Sequence, residues 1–101
     1  MAEAKRKPLE LDAIKRALES NVPQVCDRLL PNGKRKGIWW RDSVPWRVDK
    51  HPSLFINLNS GVWKDTGRDE TGDLFELIER TDKCDFYEAT LKLGRLLGVI
   101  T

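Results

Sequence analysis

The sequence predicts an α+β domain in which a small antiparallel β-sheet is flanked by N-terminal and C-terminal helices. Three observations carry that expectation. Apolar residues recur at helical spacing before position 30 and again after position 73. Between them lies a stretch rich in Trp, Phe, Ile and Val, part of which alternates apolar with polar. The 101 residues suffice for one hydrophobic core and not for two.

The elements follow in order. Residues 1–11, opening "MAEAKRKPLE", have little apolar content and read as a flexible basic arm. Asp12 is the expected N-cap of a first helix, with Ile14, Ala17 and Leu18 on one stripe up to about Asn21. Pro23 suits the first turn of a second helix whose apolar side is Val22, Val25, Cys26, Leu29 and Leu30; Pro31, Asn32 and Gly33 end it. "KGIWWRDSVPWRV" and "SLFINLNSGVWKD" then read as strands. Leu54, Ile56 and Leu58 alternate with Phe55 and Asn57, which places the three aliphatic residues on the core face. Asn59, Ser60 and Gly61 form a turn signal, so residues 53–58 and 61–65 are expected to pair as a hairpin within a meander of three or four strands. Helical spacing returns with Leu74, Leu77 and Ile78 after Asp73, and with Phe86, Ala89, Thr90, Leu93, Leu96 and Leu97 after Asp85. Asp85 and Glu88 are spaced as a capping box, and Gly98 suits a C-terminal cap. The module is expected over residues 12–98, with 99–101 as a tail.

Composition excludes several classes. No apolar run approaches the roughly 20 residues that cross a bilayer, and no charged-then-apolar leader opens the chain, so no membrane partner is expected and the cytoplasm is the expected compartment. Cys26 and Cys84 lie far apart and outside any CxxC or CxxH pair; they form no local metal knuckle and are expected as buried thiols. Asp65, Arg68, Asp69 and Glu70 suit a turn and the approach to a helix N-terminus better than a magnesium site. His51, the one histidine, reads as a surface turn residue. No nucleophile-base pair stands out, so the chain is not expected to be an enzyme and no cofactor is expected.

Charge is unevenly spread over a chain whose formal net charge is +2. From Lys34 to Lys50 six basic residues meet two acids, net +4; from Asp65 to Glu88 nine acids meet three bases, net −6. The first stretch therefore suits an anionic partner. It also holds Trp39, Trp40 and Trp46, with Trp63 and Lys64 further on. Cations for phosphates and rings for unpaired bases are what single-stranded nucleic acid needs. Adjacent strand residues face opposite ways, so one of Trp39 and Trp40 must be exposed. The candidate contact residues are Lys34, Arg35, Lys36, Trp40, Arg41, Arg47, Lys50 and Lys64.

The segment "KHPSLFINLNSGVWKDTGRDETGDLFELIERTDKCDFYEATLKLGRLLG", with "NGKRKGIWWRDSVPW" before it, resembles the zinc-binding N-terminal domain of bacterial and phage DNA primases. In that family a Cys-x2-His pair precedes a Lys-x-Pro-Ser segment, matched by Lys50, Pro52 and Ser53. A hairpin then ends in an aromatic pair, a Cys-x2-Cys knuckle and a Gly-Asp that opens a helix; Val62-Trp63, the 65–68 turn and Gly72-Asp73 take those places. The same register puts Val44, Arg47, Asp65 and Arg68 where the family has its zinc ligands, which is no zinc ligand set. The resemblance thus implies a zinc-ribbon-like sheet without its metal, and Arg47 and Asp65 could pair in its place. It also implies a non-catalytic role with single-stranded DNA in replication or priming, in a phage or mobile element. The alternative is a module that docks on a primase, polymerase or helicase through the acidic helices at 73–97.

Overall fold

The computed structural model describes residues 10–100, which form four α-helices and one five-stranded sheet. The expected basic arm lies outside the described residues except for its last two. Helix α1, Leu11–Glu19, begins two residues earlier than the sequence suggested: Glu10 is the N-cap, without a side-chain cap bond, and Asp12 sits in the first turn. An acid there is still favoured by the exposed N–H groups of the helix start. Helix α2, Val22–Leu29, has Pro23 in its first turn, where the missing N–H costs no helical bond.

The strands are β1 Lys34–Lys36, β2 Trp39–Asp42, β3 Leu54–Asn57, β4 Trp63–Asp65 and β5 Glu70–Gly72. They pair antiparallel in sequential order, so the sheet is a simple meander. The expected hairpin is present, with Leu54, Phe55 and Ile56 opposite Asp65, Lys64 and Trp63. Asn57 closes its turn: its Oδ1 accepts from the N–H groups of Asn59 at 2.8 Å and Ser60 at 3.1 Å. Gly61, at φ +78°, supplies the left-handed residue that brings the chain back. Five strands replace the expected three or four, because β1 and β5 are short and polar and carry no alternation to read. Conversely, residues 43–53 are a loop rather than a continuation of β2. Pro45 and Pro52 interrupt pairing there, and the Asp49 carboxylate takes the backbone N–H groups of Val44 at 2.9 Å and Ser53 at 3.1 Å.

Helix α3, Leu74–Asp82, and helix α4, Phe86–Leu96, complete the chain. Asp73 and Asp85 cap them by accepting from the N–H groups of Glu76 and Glu88, each at 2.9 Å. Gly98 follows α4 at φ +76°, in keeping with its expected capping place. One core joins the helices to a single face of the sheet: Ile14, Val22, Val25, Leu74, Leu77, Ile78 and Leu93 pack with Leu54, Ile56 and Trp63. Each buried aliphatic residue contributes about 1.5–3 kcal/mol to that core. Among the described residues, the opposite face of the sheet receives no helix residue from this cluster and stays open.

Candidate nucleic-acid interface

Directly opposed residues in an antiparallel sheet share a face, so the register assigns every strand side chain. Arg35, Trp40, Ile56, Trp63 and Gly72 form one line across the core face, and Asp42, Leu54, Asp65 and Glu70 the next. The open face carries the other two lines. Lys36, Trp39 and Asn57 make up the first, and Lys34, Arg41, Phe55, Lys64 and Thr71 the second. Every acidic residue of the strands is on the core side. The open face therefore presents four cations and two aromatic rings with no carboxylate among them.

The rings are positioned by their neighbours. Trp39 meets Phe55 edge-on at 6.3 Å between centroids, and the Arg41 guanidinium lies 5.3 Å from the Phe55 centroid. The Nε of Arg41 also donates to the Pro52 carbonyl at 3.3 Å, which ties the 43–53 loop to the edge of this face. Trp39 is 40% exposed and free to receive a base on its ring.

The candidate residues thus divide. Lys34, Lys36, Arg41 and Lys64 come together on the open face. Trp40 does not: it is 8% exposed, points into the core, and donates its indole N–H to the Leu30 carbonyl at 3.2 Å. The exposed member of the Trp39-Trp40 pair is Trp39, which corrects the assignment of Trp40 to the contact set. Register decides this, since Trp40 stands opposite the buried Ile56. Arg35 is exposed but falls on the other side of β1 from Lys34 and Lys36. Lys50 is exposed in the 43–53 loop. Arg47 is withdrawn from the surface set by its contacts with Asp65. Phe55 was legible as an outward residue, because placing Leu54 and Ile56 inward forces it outward.

The region where the primase resemblance places zinc ligands is filled by other chemistry. Arg47 grips Asp65 through both arms of its fork, with Nη2 to Oδ1 at 2.7 Å and Nε to Oδ2 at 3.3 Å. Asp65 is 0% exposed, and its Oδ1 also accepts from the Gly67 N–H at 2.9 Å. A Cβ at Gly67 would stand 2.6 Å from Arg47 Nη2, so a side chain there would force the fork aside. Hydrogen bonding to Asp65 holds the proton on Arg47 still more firmly than usual. Arg47 Nη1 also lies 3.7 Å from Asp49 Oδ1. Burial alone would raise the Asp49 pKa, but the N–H groups of Val44 and Ser53, the Ser53 hydroxyl and Arg47 outweigh it and hold the carboxylate below its ordinary range.

Aromatic packing closes the same corner. Trp46 from the loop meets Trp63 of β4 at 5.2 Å, and the Arg80 guanidinium of α3 lies 5.3 Å from one ring centroid and 5.1 Å from the other. Arg80 also pairs with Glu70 of β5 at 3.1 Å. Loop, sheet and helix are thereby fastened together. The residues do not fit zinc: Val44 has no donor and is buried, Arg47 and Arg68 are cations, and the one carboxylate, Asp65, is already engaged. No cluster of three or more His, Cys, Asp or Glu able to hold a metal occurs among the described residues.

No protein-family model matches the chain, and no curated protein matches it. Among solved structures, the crystal structure of the Aquifex aeolicus primase, comprising its zinc-binding and RNA polymerase domains, is similar to it. The match covers 91% of this chain and 22% of that one, with a TM-score of 0.72 and 23% identity. The fold is therefore like that of the primase zinc-binding domain, and the chain spans about a fifth of that primase chain. No helix among the described residues is long and apolar enough to cross a membrane.

Proposed function

We propose that the domain binds single-stranded DNA, with little sequence preference, as an accessory to replication or priming, and that it does so without catalysis of its own. The observation that carries this reading is the open sheet face, where Lys34, Lys36, Arg41 and Lys64 surround Trp39 and Phe55 and no strand carboxylate intrudes. Cations spaced over a flat face neutralise phosphates without selecting a base. Exposed rings need unstacked bases, which a duplex does not offer at its outer surface. The likeness to a primase structure supports the setting, and the domain would serve the replication system of a phage or mobile element.

The test is a fluorescence-anisotropy titration of labelled single-stranded and duplex oligonucleotides at two salt concentrations. Tighter binding to the single strand is expected, with affinity falling by roughly 0.7 log units per log unit of salt for each phosphate neutralised. Equal and negligible binding of both oligonucleotides at low salt would end the proposal.

A further inference from the structure

The helical side of the molecule carries a groove that shares no residue with the sheet face. Between α2 and α4 lies an open cavity of about 440 Å3 lined by Arg28, Glu88, Leu91, Lys92, Arg95 and Leu96. A second cavity of about 230 Å3 adjoins it, sharing Arg28 and Leu96. Lys92 is already paired with Asp82, at 2.7 Å. Arg28 and Arg95 are exposed, and neither has an ion-pair or hydrogen-bond partner among the described residues. They come from two different helices and line one cavity, whose described lining includes one acid, Glu88.

Single arginines in the last turn of a helix are ordinary, because they complement the carbonyl end. Two unpaired guanidinium groups directed at one space leave a local excess of positive charge that a carboxylate would relieve. The floor between them is aliphatic, formed by Leu91 and Leu96, both half-buried. A phosphate backbone would use the arginines and leave that floor wet, and no aromatic ring lines the cavity for a base to stack on. A peptide that sets carboxylates on either side of an apolar side chain would use both features.

We propose that the α2–α4 groove docks an acidic, apolar segment of a partner protein, with Arg28 and Arg95 holding its carboxylates and Leu91 and Leu96 receiving its apolar side chain. The surface is therefore cationic, whereas the charge pattern of the sequence pointed to docking through the acidic helices at 73–97, of which only α4 borders this groove. Such a groove lets the domain hold a protein on its helical side while its sheet faces a nucleic acid.

The full chain is titrated against a labelled heptapeptide of aspartates flanking Leu and Phe. One control peptide replaces every Asp with Asn, and a second replaces the apolar residues with Ser. Saturable binding of the acidic apolar peptide is expected, weakened at least about tenfold by either control and by the Arg28→Ala/Arg95→Ala double variant. Both arginines are exposed, so the variant should keep the native circular-dichroism spectrum. Its affinity for a single-stranded oligonucleotide should not change. Amide shift changes on adding the peptide should fall on α2 and α4. The proposal is overturned by any of three results: no saturation by roughly 1 mM peptide, equal binding of the Asn peptide, or shift changes confined to the sheet. If the double variant loses oligonucleotide affinity and keeps peptide affinity, the groove is instead a second nucleic-acid surface.

Discussion

Replacing Arg47 with Met should be among the most damaging single changes at the surface of this domain, and the reason lies in the residue left behind. Asp65 has no exposed surface, and apart from the Gly67 N–H its carboxylate depends on the Arg47 fork. Stranding a buried charge by removing its partner costs about 3–5 kcal/mol. The Arg47 side chain is 20% exposed, so water can follow once it is truncated, which argues for the lower end of that range. A domain of this length has about 5–15 kcal/mol in total. The variant should therefore melt at least about 12 °C below the parent, taking 4–8 °C per kcal/mol. The converse change, Asp65→Asn, leaves Arg47 with a path to solvent and keeps an acceptor for Gly67, so it should cost less. The double variant Arg47→Met/Asp65→Leu removes both charges and should recover most of the loss. Urea unfolding followed by Trp fluorescence measures all three, since Trp46 and Trp63 flank the site. A double variant no more stable than Arg47→Met, or an Asp65→Asn variant worse than Arg47→Met, would refute this account of the pair.

The two adjacent tryptophans should separate cleanly. Trp39→Ala should leave the melting curve nearly unchanged and weaken single-strand binding by about 1–3 kcal/mol, whereas Trp40→Ala should destabilise by about 3–5 kcal/mol through the cavity it leaves, as thermal melts and anisotropy would show. Replacing Lys34, Lys36 and Lys64 together with Ala should lower the salt slope by about 2, while Arg35→Ala, on the other side of β1, should alter it far less. Burial pushes the Cys26 thiol up to about 12, and Cys84 is raised by burial and by nearby acids including Glu88 and Asp82. Ellman's reagent at pH 8 should therefore react slowly with the folded protein and promptly with two thiols in denaturant; two fast thiols in the native state would contradict the packing around Cys26. Asp49 binds its proton less readily folded than unfolded, so its contribution is complete at neutral pH and is lost as pH falls through about 4 and below. The gap in melting temperature between the parent and Asp49→Asn should accordingly shrink between pH 7 and pH 3.

How far the sequence could be read follows from what each signal measures. The helices of residues 74–82 and 86–96 were legible because an Asp cap precedes each and an apolar stripe runs along it. The central hairpin was legible because Leu54, Ile56 and Leu58 alternate and a turn signal follows. Strands β1 and β5 were not, since "KRK" and "ETG" owe their conformation to the neighbouring strands rather than to their own composition. The choice between Trp39 and Trp40 required the β2–β3 register, which residues on β2 alone do not fix. The depth of the Arg47–Asp65 pair was hidden for a similar reason. The resemblance placed both residues in one corner, but an aspartate in a polar turn gives no sign that Trp46, Trp63 and Arg80 will close over that corner.

That corner and the open face are built from different residues, and this separation lets the corner's chemistry differ while the residues of the face stay in place. The corner is held by Arg47, Asp49, Asp65, Trp46, Trp63 and Arg80, whose side chains turn toward the core side or the loop. The open face is held by register alone, through strands whose ladder is continuous from Lys34 to Gly72. The two are tied by the Arg41 bond to the Pro52 carbonyl and by β4 itself, where Lys64 stands between Trp63 and Asp65. An ionic fork with an aromatic clasp can therefore stand where a metal would fasten the loop without altering which way Lys34, Lys36, Trp39, Arg41, Phe55 and Lys64 point. The exchange changes the conditions under which the fold holds. A metal staple is released by chelators and by protonation of its ligands, whereas melting of this corner should be unchanged by a chelator and the corner should weaken as Asp49 is protonated. Loosening the corner should therefore reach the sheet face first at Arg41, Phe55 and Lys64, and last at Lys36 and Trp39.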